Sequence, residues 1–265
     1  MLLQFINWSI EARKFQFIIS KKEKVSFKQS IIAVYTGNAT GIFTPDRLGN
    51  FIGRFIYLNQ IDKKTVTAST LLGNLAQLIS TISFALIAVL LYMKLDLKIQ
   101  LPYVNPVIIL GVLIMALSIL TYLFFNPNKI IEKFNKVKWV AKHKITFSFL
   151  ANFNKKESSA IIGFSLLRYL IFIIQFYLIL NTFELSINLI ETLVFSGLLY
   201  LFTTFIPSPI MGNLGTREVV ALLLLNNYAH SEVVLVASLI IWIINVIFPS
   251  LIGSYLLLKM NPSKK

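Results

Sequence analysis

Hydrophobic positions in this chain come in long unbroken runs rather than in stripes. Val66 to Met93 and Pro106 to Phe125 contain no charged residue. Crossing bilayer hydrocarbon takes about 20 mostly apolar residues, so each run is long enough. Backbone N–H and C=O groups in hydrocarbon must pair internally, which leaves helices or a closed barrel. The runs are far longer than barrel strands and lack period-2 alternation, so they are read as helices.

Six apolar regions follow one another. Ser26 to Leu58 is broken by Thr44-Pro45-Asp46-Arg47-Leu48-Gly49. Val66 to Met93, Pro106 to Phe125 and Ser159 to Leu180 are continuous. Asn188 to Leu225 is broken by Pro207-Ser208-Pro209-Ile210-Met211-Gly212-Asn213-Leu214-Gly215. Glu232 to Leu258 contains Pro249, which predicts a kink. Met1 to Ile10 is apolar but too short to span alone. It lacks the basic start and cleavage site of a signal peptide, and is expected to be an interfacial helix or the tail of a span begun elsewhere. Between the third and fourth regions, Ile130, Phe134, Val137, Ala141 and Ile145 recur at steps of three and four among many lysines. That pattern predicts a basic amphipathic helix on the membrane surface, with Trp139 near the headgroups; a solvated linker is the alternative.

Composition sharpens the picture in three ways. An apolar fraction of 56% and a mean hydropathy of +0.75 are too high for a soluble globule. The net charge of +14 would suit nucleic acid, but the lysines sit in short loops between apolar runs, the positive-inside pattern of a membrane protein. Membrane lipids are therefore the expected partners and nucleic acid is not. The chain has no cysteine, and its two histidines, His143 and His230, stand far apart without carboxylate pairs. No metal site and no cofactor is expected.

Lysine placement sets an expected topology. Arg13 to Lys28, Lys63 to Lys64, Lys129 to Lys156 and Lys259 to Lys265 are the basic clusters and are placed inside. The Val66 and Ser159 spans then run outward, and the Pro106 and Glu232 spans run inward. Each broken region must return to its own side, so each is read as a re-entrant helical hairpin. The predicted fold is an all-α polytopic integral membrane protein, one transmembrane domain over residues 1–265. It holds two inverted-topology repeats, about 1–93 and 159–258, joined by a span and basic linker over 94–158. Paired Pro/Gly-broken segments at corresponding positions point to a transporter and its site.

Arginine placement points to chemistry. All twenty lysines are assigned to loops, tails or segment ends, and Arg13 to a basic loop. Arg47, Arg54, Arg168 and Arg217 fall within apolar regions or their breaks. A charge at membrane depth usually faces a cavity or a partner. Arginine is suited to that place because it stays charged and grips phosphate through two parallel N–H bonds. Arg47 and Arg54, seven apart, share a face if helical. Half-helix N-termini at the breaks also favour an anion. Arg47 and Arg217 are expected at the facing tips of the hairpins, near mid-membrane, lining one polar cavity. Arg54, Arg168, Arg217 with Glu218, and Arg47 make the candidate substrate-binding set. Pro45, Gly49, Asn50, Gly53, Pro207, Pro209, Gly212 and Gly215 form the breaks. The alternatives are that Arg168 snorkels or pairs with Glu191 or Glu218, and that Arg54 reaches the interface. Glu191, Glu218 and Asp46 are the acidic residues expected at depth.

These residues carry a family resemblance. Gly37-Asn38-Ala39 followed by Thr44-Pro45-Asp46-Arg47-Leu48-Gly49-Asn50-Phe51-Ile52-Gly53-Arg54 resembles the "N…P-x-R-x-G-E…R" signature of the lysylphosphatidylglycerol synthase transmembrane family. Ile206 to Glu218 resembles its second signature, a Pro/Gly loop ending in "G-x-R-E". Asn7-Trp8 and Glu11-Ala12-Arg13-Lys14 are similar to the end of an early helix there. The family includes the flippase half of the multiple peptide resistance factor. The resemblance therefore implies a non-catalytic, flippase-like translocator in a bacterial or archaeal cytoplasmic membrane. Its substrate would be an anionic or aminoacylated phospholipid or a lipid-linked phosphate. The alternatives are a membrane partner of a separate lipid-modifying synthase, or a membrane-embedded headgroup enzyme; a homo-oligomer is compatible with each. Asn50 stands where the family usually has Glu, which removes any cation contact made by that carboxylate. The 265 residues hold no soluble transferase domain, so the resemblance implies no synthase activity.

Overall fold

The computed structural model describes residues 1–44, 49–99, 101, 105–134, 148–206 and 213–260, and their regular structure is helical throughout. The helices are α1 (Leu2–Ile19), α2 (Phe27–Gly41), α3 (Gly49–Tyr57), α4 (Lys63–Lys94), α5 (Pro106–Phe125), α6 (Pro127–Phe134), α7 (Lys155–Thr182), α8 (Leu189–Phe205), α9 (Thr216–Leu225), α10 (Ser231–Trp242) and α11 (Phe248–Lys259). A π-helical turn, Ile243–Ile247, joins α10 to α11. Four helical stretches are long and apolar enough to cross a membrane: α4, α5, α7 and the continuous Ser231–Lys259. They coincide with the four unbroken apolar regions, and the chain is a multi-pass, all-helical membrane protein.

Local sequence explains where the helices begin. Ser26, Asn154 and Asn188 each accept a hydrogen bond from the backbone N–H three residues on. Gln29, Glu157 and Glu191 return the bond to the capping residue. These reciprocal pairs satisfy donors that a helix start leaves orphaned. Asn105 caps α5 ahead of Pro106, which has no N–H to lose. The expected irregularity at Pro249 is the π turn just before it. Proline offers no N–H to the carbonyl of Asn245, four residues back.

Both broken regions are helix pairs packed on each other, α2 with α3 and α8 with α9. In the first, Thr36 lies against Gly53 and Thr40 against Gly49, so the two helices run antiparallel. The approach is close enough that a Cβ on Gly49 or Gly53 would come within 2.1 Å of the carbonyl oxygen of Thr40 or Thr36. Thr40 Oγ1 uses that proximity, donating to Gly49 O at 2.6 Å and accepting from Gly53 N at 3.0 Å. α11 packs on the outer side of α2, and α1 packs on α2, α4 and α7.

Apolar packing divides between two regions. One buried cluster joins α4, α5 and α7 to α10; a second joins α1, α2, α3 and the start of α4, with α11 packed against it. α5 is peripheral, with only Leu113 and Phe124 buried, and it turns Val107, Ile108, Val112, Ile114, Met115 and Ile119 outward. Outward apolar side chains are what lipid tails cover. α6 is helical, but Val137, Trp139, Ala141, His143 and Ile145 lie outside the described residues.

Candidate functional site

The polar side chains of α1 fall on one face. Gln4, Asn7, Glu11 and Lys14 are spaced by three and four residues, and all four are buried. This corrects the assignment of Lys14 to a basic loop: α1 continues to Ile19, and Lys14 is 1% exposed. Arg13, its neighbour, is exposed and stacks over Phe27. Glu11 is also a buried acid that the list of Glu191, Glu218 and Asp46 omits.

Glu11 is the hub of a buried ion cluster. Its Oε2 receives Lys14 Nζ at 2.8 Å and Arg168 Nη1 at 2.6 Å, and Arg54 Nη2 lies 3.5 Å from Oε1. Three cations thus share one carboxylate. The alternatives weighed for Arg168, snorkelling or pairing with Glu191 or Glu218, are replaced by this pair, which bridges α1 and α7. The remaining donors are held by neutral groups. Arg168 Nε donates to Asn7 Oδ1 and Nη1 to Gln77 Oε1, each at 3.0 Å. Lys14 Nζ donates to Gly73 O and Ser165 Oγ, and Arg54 Nη1 to Thr70 Oγ1. Arg54 also lies over the Phe15 ring, 4.5 Å from its centroid. Buried charges need such paired, hydrogen-bonded surroundings to persist.

The cluster sits at mid-helix. Arg168 is 13 residues into α7 and Gln77 is 14 into α4, so both lie about 20 Å from the helix starts at 1.5 Å per residue. At one end of these helices Lys21 pairs with Glu157. At the other, Tyr228 donates to Glu191 and Asn227 to Lys98 O. Burial, and then the hydrogen bond to Glu191, raise the Tyr228 hydroxyl pKa above its ordinary value.

One cavity of about 520 Å³ opens beside the cluster. Its wall includes Glu11, Lys14, Arg54 and Arg168, and also Asn50 from α3, Tyr200 from α8 and Arg217 from α9. Arg217 Nη2 donates to Ser238 O at 2.9 Å, and its Nε is buried without a hydrogen-bond partner, as is Arg54 Nε. Asn50 Oδ1 and Asn245 Oδ1 are buried acceptors in the same condition, and both residues line the cavity. Glu218 is not in the wall: its Oε2 accepts from Gly215 N at 2.7 Å and its Oε1 from Ser238 Oγ at 3.4 Å. Gly215 needs no Cβ-bearing substitute there, since its φ of 87° suits glycine.

Arg54, Arg168 and Arg217, scattered over 164 positions, are therefore brought to one space. Glu191 is not among them; it caps α8. Arg47, Asp46, Pro45, Pro207, Pro209 and Gly212 lie outside the described residues. Glu11, Lys14 and Gln77 are the site residues that sequence reasoning missed. The signal for the first two was the three-and-four spacing of Gln4, Asn7, Glu11 and Lys14.

The family model for the lysylphosphatidylglycerol synthase transmembrane region matches residues 1–253. No curated protein and no solved structure matches the chain.

Proposed function

Because this chain belongs to the lysylphosphatidylglycerol synthase transmembrane family, we propose that it is a flippase-like translocator for phosphate-bearing lipids. Its setting is the bacterial or archaeal cytoplasmic membrane, with the Lys-rich end facing the cytoplasm. One observation carries the reading: a mid-helix cavity whose wall holds Lys14, Arg54, Arg168 and Arg217 against a single carboxylate, Glu11. Buried positive charge in excess of its partners is costly unless an anion joins it. A lipid phosphate supplies that anion, and its acyl chains can stay in the bilayer while the headgroup occupies the cavity. In this reading α2–α3 and α8–α9 are re-entrant hairpins of two inverted repeats, and Arg47 joins the set from the first break. A wall of fixed donors, with one carboxylate already held by cations, supports binding and passage rather than acid–base chemistry on the headgroup.

The test is reconstitution. Fluorescent phospholipids are placed in proteoliposomes and exposure of the outer leaflet is read by dithionite quenching. Protein-dependent exchange above empty vesicles is expected. Absence of exchange for every anionic phospholipid, aminoacylated phospholipid and polyprenyl phosphate tried overturns the proposal.

A further inference from the structure

The cavity wall also says which headgroups fit. We infer that this cavity selects a phosphate headgroup that carries hydroxyl groups and no ammonium group, and so disfavours aminoacylated and other amine-bearing lipids. The inference rests on the translocator reading above and narrows its substrate. It comes from sorting the wall by what each polar group still lacks.

Start with the charges. An ammonium group entering the cavity would need a carboxylate to receive it. The single carboxylate in the wall, Glu11, already takes Lys14 and Arg168 on one oxygen and faces Arg54 on the other. Glu218, beside Arg217, is spent on Gly215 N and Ser238 Oγ and stays out of the wall. An ammonium ligand would thus meet fixed cations with no free counter-charge, and like charges in a weakly screened interior repel strongly.

Turn then to the unmet hydrogen bonds. Two donors in the wall, Arg54 Nε and Arg217 Nε, are buried and unpartnered. Both arginines are more than nine-tenths buried, at 5% and 6% exposure. Arginine N–H groups of this kind match the oxygens of a phosphate. Two acceptors, Asn50 Oδ1 and Asn245 Oδ1, are equally unmet. For Asn245 the amide orientation is set by its Nδ2, which donates to Ile241 O at 3.0 Å. A neutral acceptor is suited to a hydroxyl donor, and leaving it empty in a buried site costs free energy. A phosphodiester with a polyol headgroup satisfies both sets at once; a bare phosphate satisfies only the donors.

Three probes in one proteoliposome assay decide the matter: fluorescent phosphatidylglycerol, its lysyl ester, and phosphatidylethanolamine. Phosphatidylglycerol is expected to exchange at least tenfold faster than either amine-bearing lipid. Asn50→Asp, isosteric but with one added carboxylate in the wall, is expected to raise lysyl-ester exchange relative to phosphatidylglycerol by about tenfold. Lysyl-ester exchange equal to or faster than phosphatidylglycerol in the parent chain overturns the inference and leaves translocation standing. Loss of all three exchanges overturns the translocator reading together with it. Glycerol phosphate entrapped in the same vesicles separates the source of the headgroup. Its retention supports a lipid. Its protein-dependent release without lipid exchange overturns the lipid assignment.

Discussion

Replacing Glu11 by Gln tests whether the buried cluster is held by charge. The change keeps shape and removes one negative charge from the middle of three cations at 2.6, 2.8 and 3.5 Å. Gln can still accept from Arg168, so the hydrogen bond is partly kept and the lost quantity is electrostatic. Removing one partner of a buried ion pair costs about 3–5 kcal/mol, because the other charge is left uncompensated. Here Lys14, Arg54 and Arg168 are left together, so the upper part of that range is expected. For a chain of this size about 1 kcal/mol moves the unfolding midpoint by roughly 2–4 °C, which gives a drop of roughly 10 °C or more. The assay is thermal unfolding in detergent, with exposed Glu23→Gln as the control for charge loss at a surface. Adding Lys14→Met to Glu11→Gln removes one stranded cation, and the double variant should be more stable than the sum of the single losses allows. Phosphatidylglycerol in the micelles should recover part of the loss in Glu11→Gln if the cavity takes an anion. A midpoint for Glu11→Gln within a degree or two of the parent, matching Glu23→Gln, would refute the reasoning.

Three further outcomes follow from the same geometry. Arg168→Lys should retain charge yet lower lipid exchange severalfold, because one ammonium cannot serve Asn7, Glu11 and Gln77 with a planar fork; exchange at the parent rate would argue against the fork. Gly53→Ala places a methyl within 2.1 Å of Thr36 O, so α3 must move off α2, and overpacking of this kind costs about 1–3 kcal/mol in thermal stability. Since the chain has no cysteine, Glu23→Cys and Asp96→Cys can be labelled singly with an impermeant maleimide in oriented vesicles. They should react from opposite sides, and labelling from the same side would refute the topology.

The four continuous spans were legible because hydropathy alone specifies a helix in hydrocarbon, and no partner is needed to recognise it. Proline and glycine marked both interruptions for an equally local reason. What local pattern could not supply was partnership. Lys14 follows Arg13 in the chain and was grouped with it, yet a helix turns successive residues about 100° apart, so Arg13 faces out and Lys14 faces in. Arg168 finds its counter-charge 157 positions away on α1, and its amide partner on α4. Distances of that kind are created by packing. Arg54 and Arg217 were legible as buried charges because each sits in an apolar stretch, while the cavity they share depends on how α3 and α9 meet.

The π turn at Ile243–Ile247 makes this protein unusually sensitive to length. A π turn amounts to one residue accommodated without breaking the helix. Upstream, α10 faces α9; downstream, α11 faces α2. Asn38 Nδ2 donates to Ser250 Oγ at 2.9 Å, and Gln4 Nε2 reaches Asn245 O at 3.5 Å. Deleting any one residue from 243–247 would let a plain α-helix form. It would also rotate everything on one side of the turn by about 100° relative to the other. Gly253 would then swing away from Tyr35 and Ala39, where no larger residue fits, and bulk would take its place. A frame-preserving deletion of a single codon here should therefore be as damaging as a core substitution, although it removes only an apolar residue or Asn245 from a helix rich in apolar residues.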